Sequence, residues 1–200
     1  LLARSGTLLM LLFGYKATHT PGAIALKLCP DFLSHLARPK TVLAITGTNG
    51  KTTTSNLLAG VLSHAGRDFA HNGYGSNIKE GVITTLMEAS RFWGGPKKDL
   101  CILEIDERAS RIIFPELAPD YLIVTNLFRE SYLRNAHAEF VFRVLKDHIP
   151  ASTTLILNAD DPLSSRLGQA NKKVFFSLAQ QQGEVSQEHS LIQDLPLCPS

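Results

Sequence analysis

Tryptophan occurs once, methionine twice and cysteine three times in these 200 residues. The cysteines, Cys29, Cys101 and Cys198, are odd in number and far apart. That excludes a disulfide framework and suits a reducing cytoplasm. Cys29 and Cys101 sit in apolar contexts and read as core thiols. A charge excess is also lacking: the formal net charge is only +2, with no long basic run, so nothing points to a nucleic-acid partner. Long hydrophobic runs are missing too. The apolar stretch Thr7–Phe13 follows Arg4, but it is too short to span a bilayer and has no small-residue cleavage pattern after it. It reads as a helix docked against the domain. Wholesale disorder is excluded by 44% hydrophobic and 19% charged residues. The chain begins at Leu1 and stops in a polar stretch at Cys198-Pro199-Ser200, and we read it as a fragment of a longer protein.

What the sequence does have is an alternation of strand-like and helix-like segments. Residues 1–38 read as a helical lead-in, with a turn at Thr20-Pro21-Gly22 and a short helix from Ala23 to Leu28. Pro39 then breaks the chain. Continuous apolar runs of the kind buried in parallel sheets follow at Thr41–Thr46, Asp99–Ile105, Tyr121–Asn126 and Thr154–Asn158, with shorter strands at Asp68–His71 and Lys173–Phe176. Helices are expected at Thr52–Ala65 (ended by Gly66), Lys79–Ser90, Ala109–Leu117 and His137–Asp147, and a helical turn at Pro162–Leu167. This pattern predicts an α/β fold with a doubly wound, mostly parallel sheet over residues 39–185. Residues 186–200 read as a linker. In such a sheet, ligands bind beyond the carboxyl ends of the strands, where the polar motifs fall.

Thr46-Gly47-Thr48-Asn49-Gly50-Lys51-Thr52 is the strongest motif. A strand feeding a glycine-bearing turn and then a helix presents backbone N–H groups and a helix N-terminus to phosphate oxygens. Lys51 can reach the β- and γ-phosphates of ATP and the Thr52 hydroxyl can ligate Mg²⁺, with Gly47, Thr48, Asn49, Gly50 and Thr53 completing the cradle. The loop is a short variant, since Ile45 stands where the general GxxxxGK[ST] form has its first glycine. Glu104, in Leu103–Glu107, is a charge near the end of an apolar strand. Either Mg²⁺ or a pairing with Arg108 or Arg111 would offset its burial. In Leu157–Pro162, Asn158 is a reasonable contact for the edge of adenine, whereas an Asx-turn is the plainer alternative; Asp161 reads as a helix cap. Asn72–Asn77 could be a substrate loop or a plain turn. Asn126, Arg129, Glu130 and His137 cluster after a strand as candidate substrate contacts or as a solvated loop. Thr84, Thr85 and Ser90 read as ordinary helix surface.

GTNGKTTT, LEIDE, TNLFRE and LNADDP, in this order, resemble the central ATPase domain of the Mur ligase superfamily. Within it the chain looks most like the MurT-type subunits of lipid II isoglutaminyl synthases, on its lead-in PGAIALKLCPDFLSHLA, on NGYGSN with the downstream TT, and on its tail KVFFSL…DLPLCP. The resemblance implies activation of the D-glutamate α-carboxylate of lipid II as an acyl phosphate by ATP and Mg²⁺. Ammonia from a GatD-type glutamine amidotransferase partner would then attack, at the inner face of the membrane. Lys51 and Glu104 would carry the phosphoryl step. It also implies a zinc ribbon in the full-length protein with Cys198 as its first ligand, the fragment itself being metal-free. Amino-acid-adding relatives have an Asp-His pair where Glu130-Ser131 stands here, so a second-metal histidine is missing. Two other readings stay open: an amino-acid-adding ligase of the Mur, folylpolyglutamate or cyanophycin type, and a nucleotide-binding scaffold without catalysis.

Overall fold

The computed structural model describes residues 19–73, 76–91, 95–128 and 138–178. The expectations for Thr7–Phe13, Arg129, Glu130, His137 and Cys198 therefore lie outside the described residues. Six strands form one sheet: β1 (Thr41–Thr46), β2 (Phe69–His71), β3 (Leu100–Glu104), β4 (Tyr121–Val124), β5 (Thr154–Asn158) and β6 (Lys173–Phe176). Their order is β2-β3-β1-β4-β5-β6 and every pairing is parallel. The doubly wound α/β reading holds. Parallel pairing explains why β1 and β3 are apolar on successive positions, since helices cover both faces of such a sheet. Ala44, Ile45, Cys101, Ile102 and Leu103 are fully buried.

The helices are α1 (Thr20–Leu28), α2 (Lys51–His64), α3 (Lys79–Glu88), α4 (Ser110–Ile113) and α5 (Ala138–His148). Thr20-Pro21-Gly22 is not a turn but the opening of α1, with Pro21 in the first helical turn. That position needs no N–H, so proline starts a helix there as readily as it breaks one elsewhere. The expected helix Ala109–Leu117 is shorter, a single turn of α4 continued by looser turns to Leu117.

Thr84 and Thr85 are not helix surface. Both are buried, because α1 packs across α3. The Gly22 N–H donates to the Thr84 hydroxyl (3.0 Å), and a Cβ on Gly22 would lie 1.9 Å from the Glu80 carbonyl oxygen. Ala25 and Leu33 of the lead-in join the same core as the sheet residues. Cys29 is a further correction. It is half-exposed just past α1, and its thiol donates to Asp31 (3.0 Å), while Cys101 alone is the core thiol among the described residues.

Candidate functional site

The loop after β1 is shaped by two glycines in the left-handed region. Gly50 (φ 81°) stands at the start of α2, and a Cβ there would meet nothing within 4 Å. Gly47 (φ 128°) is buried, and a Cβ there would come within 2.2 Å of the Thr125 hydroxyl and 2.9 Å of the Asn126 carbonyl. Only glycine fits both the angle and the space. The loop is held from the β4 side. Asn126 grips Asn49 at both ends of its amide: its Oδ1 accepts from the Asn49 N–H (3.0 Å) and its Nδ2 donates to the Asn49 carbonyl (3.2 Å). The Thr48 N–H donates to the Asn126 carbonyl (2.9 Å), and the Thr125 hydroxyl donates to the Asn49 carbonyl (2.7 Å). The Thr48 hydroxyl accepts from the Phe128 N–H (2.9 Å). Asn126, expected to face substrate, thus spends its amide on the phosphate-loop backbone.

Lys51 opens α2 and turns its ammonium back over the loop, donating to the Gly47 carbonyl and to the Thr48 carbonyl (3.3 Å). It also forms an ion pair with Glu107 (3.0 Å), in which both side chains are largely buried. Burial pushes the Glu107 carboxyl above the ordinary carboxylate range, and the adjacent ammonium pulls it partly back. Glu107 is the residue that sequence reasoning missed. A second acid three residues past Glu104 was visible, but only the fold shows that it reaches Lys51.

Glu104 ends β3, beside β1, and is 2% exposed. Neither Arg108 nor Arg111 neutralises it. Its Oε2 accepts from the Thr52 hydroxyl (2.9 Å), and Asn77 Nδ2 lies 3.5 Å from its Oε1. The strand end is clamped by buried Asn72, whose Oδ1 accepts from the Glu104 N–H (2.7 Å) and whose Nδ2 donates to the Glu104 carbonyl (2.8 Å). Asn72 also donates to the Ser76 carbonyl (2.9 Å), so Asn72, Ser76 and Asn77 lie together beside Glu104.

On the far side, Asn158 Nδ2 donates to the Thr125 carbonyl (2.9 Å) and its Oδ1 accepts from the Asp160 N–H (2.9 Å), the Asx-turn pattern. Asp161 caps the turn Ser164–Arg166 through the Leu163 and Ser164 N–H groups, each at 3.2 Å. It also accepts from the Leu127 N–H (2.7 Å), a tie across 34 residues that no local pattern announces. Residues that end or follow β1, β3, β4 and β5 therefore meet at the carboxyl edge of the sheet. The sheet grows away from β1 towards β3 on one side and β4 on the other, which is where open α/β sheets bind ligands.

Residues 45–194 match the family profile of the Mur ligase middle domain. The chain belongs to that family. Among curated relatives, the MurT subunit of lipid II isoglutaminyl synthase (glutamine-hydrolyzing) from Staphylococcus aureus (strain COL) is 33% identical over 165 residues, covering 82% of this chain and 37% of the relative. The same subunit from Streptococcus pneumoniae (strain ATCC BAA-255 / R6) is 30% identical over 186 residues, covering 92% of this chain and 41% of the relative. The chain thus spans well under half the length of these relatives. Among solved structures, the MurF ligase from Thermotoga maritima in complex with ADP matches with TM-score 0.53 and 20% identity, over 78% of this chain and 36% of that one. A pseudomurein peptide ligase type C from Methanothermus fervidus matches with TM-score 0.55 and 24% identity, over 73% and 28%. These structures share the Mur ligase central-domain fold.

Proposed function

We propose that the chain is the ATP-binding part of a MurT-type carbon–nitrogen ligase that activates a carboxylate as an acyl phosphate for amidation. The observation that carries this is the convergence of Lys51, Thr52 and Glu104 on a rigid glycine loop, with the Thr52 hydroxyl 2.9 Å from Glu104 Oε2. The donor set suits Mg²⁺, a hard cation that takes one or two protein oxygens and leaves other positions to phosphates and water. Thr52 and Glu104 would hold it, and when bound it would neutralise charge on the phosphate oxygens. Lys51 exchanges its Gly47 and Thr48 carbonyls for phosphate oxygens, and Glu107 keeps the ammonium aimed along the loop. The N–H groups of Gly47–Thr53 cradle the phosphates. Asn158, whose amide has a second N–H beyond its bond to Thr125, contacts the adenine edge. Asn126 holds the loop in its binding shape, and Asn77 lies beside Glu104 towards the substrate. Placing such donors in advance is the main way proteins lower the barrier to phosphoryl transfer.

We take the substrate to be the D-glutamate α-carboxylate of lipid II, amidated with ammonia from a glutaminase subunit in the cytoplasm, a reading supported by the likeness to MurT subunits of a glutamine-hydrolyzing lipid II isoglutaminyl synthase. The full-length protein, assayed with lipid II, ATP and either nitrogen source, tests this. We expect amidation from ammonium without the partner and from glutamine only with it. Transfer of an amino acid instead would make the protein an amino-acid-adding ligase, like the UDP-N-acetylmuramate–L-alanine ligase of Thermotoga neapolitana (30% identical over 155 residues). Nucleotide binding without turnover would make it a scaffold.

A further inference from the structure

The turn after α1 brings three metal-binding side chains together, none of them used by the nucleotide site. Its backbone is fixed at several points. The Cys29 N–H donates to the Ala25 carbonyl (2.9 Å), the Phe32 N–H to the Cys29 carbonyl (3.1 Å) and the Ser34 N–H to the Asp31 carbonyl (3.0 Å). Leu33 is 2% exposed and anchors the turn in the core. The Lys79 ammonium donates to the Pro30 carbonyl (3.3 Å) and pairs with Glu116 (2.5 Å). On this frame Cys29 Sγ lies 3.0 Å from Asp31 Oδ1, and His35 Nε2 lies 3.1 Å from Asp31 Oδ2. One donor atom from each residue lies within 4.8 Å of the other two. Tetrahedral zinc, with bonds of about 2.0–2.3 Å, separates its donors by roughly 3.3–3.8 Å. The observed separations, 3.0 Å and 3.1 Å to the two Asp31 oxygens and at most 4.8 Å within the set, lie around that spacing.

We propose that Cys29, Asp31 and His35 bind a zinc-class divalent ion, with water in the fourth position. The donor chemistry selects the ion: thiolate and imidazole favour Zn²⁺, while Mg²⁺ and Ca²⁺ favour oxygen donors alone. Binding is a proton-for-metal exchange. The Cys29 S–H bond breaks, the proton leaves to solvent and an S–metal bond forms, so the hydrogen bond to Asp31 is replaced by shared coordination. With Asp31 and His35 side chains 65% and 62% exposed, the site exchanges metal freely with solvent. The proposal runs against the expectation that the fragment is metal-free, which placed Cys29 apart in the lead-in and counted one thiolate as too few to hold zinc.

Cobalt(II) titration of the 200-residue chain tests the site, since thiolate coordination gives cobalt an intense near-ultraviolet charge-transfer band. We expect one cobalt per chain with that band, displaced by Zn²⁺. Cys29→Ser should abolish the band. Asp31→Asn and His35→Gln, on an exposed turn and hence harmless to folding, should each weaken binding about tenfold or more, at least the loss seen when a group that merely orients a ligand is removed. Cys198→Ser should change nothing. No band in the unaltered chain, a band that survives Cys29→Ser, unchanged affinity in both Asp31→Asn and His35→Gln, or a band lost with Cys198→Ser would each overturn the proposal.

Discussion

In the proposed phosphate site, Lys51 would meet the phosphates directly and Glu104 would hold the metal. Lys51→Ala in the full-length protein should lower ATP-dependent turnover by about 10²–10³-fold, the usual loss when one preplaced charge donor is removed. Turnover within a few-fold of the unaltered protein would exclude this role. Glu104→Gln keeps the shape and removes the charge, so the Mg²⁺ concentration for half-maximal turnover should rise about tenfold or more. An unchanged Mg²⁺ dependence would remove Glu104 from the metal. The two described cysteines should also separate chemically. Burial pushes the Cys101 thiol up to about 12. At pH 8 its thiolate fraction is therefore about one in 10⁴, and it is 0% exposed. In a Cys198→Ser chain, one thiol, Cys29, should react with a thiol reagent at pH 8 in the native state, and Cys101 only after denaturation. At this scale the sequence was informative where chemistry and local spacing coincide, as in Gly47–Thr52 and Glu104. It was silent on Glu107, Asn72 and Asp161, whose partners lie 56, 32 and 34 residues away.

Between elements, the glycines separate positions that need an angle from positions that need space. Gly50→Ala meets only the left-handed backbone, a strain of about 1–2 kcal/mol. Gly47→Ala adds a collision with Thr125 and Asn126, which hold the loop. Nucleotide binding, measured by calorimetry, should therefore survive Gly50→Ala weakened and be lost in Gly47→Ala. The opposite ranking would refute the loop geometry. Gly22→Ala should push α1 off α3 and destabilise the chain by about 1–3 kcal/mol, as overpacking of a tight contact does. A denaturation midpoint unchanged from the unaltered chain would argue against that docking. β1 and β3 were legible because parallel strands buried on both faces read as unbroken apolar runs. The first turn of α1 was not, since proline carries opposite meanings at a helix start and elsewhere. Thr84 was misjudged because it packs under α1, a partner its own helix does not reveal.

Across the whole molecule, strand order was the part that no local pattern held: β1 and β3 are neighbours although 59 residues separate their paired ends, Thr41 and Leu100. Among the described residues the sheet has two edges, β2 and β6, and β6 leaves Val174, Phe175 and Phe176 about half exposed. An apolar edge strand invites pairing with other chains. The 200-residue chain should associate at high concentration, and Phe175→Lys should reduce that association, read by light scattering; equal scattering from both would show the edge to be inert. The clamp on the phosphate loop also carries a consequence in time. Thr125, Asn126 and Phe128, which pin Gly47–Asn49 from the β4 side, are made some eighty residues after it. On a ribosome, β1 emerges first and waits unpaired until β3 and then β4 leave the tunnel beside it. A nascent chain ending before residue 125 has the complete nucleotide motif and lacks Thr125, Asn126 and Phe128, which hold it. The proposed binding site would thus be a late event in synthesis, open to ATP only once the sheet has closed around its oldest strand.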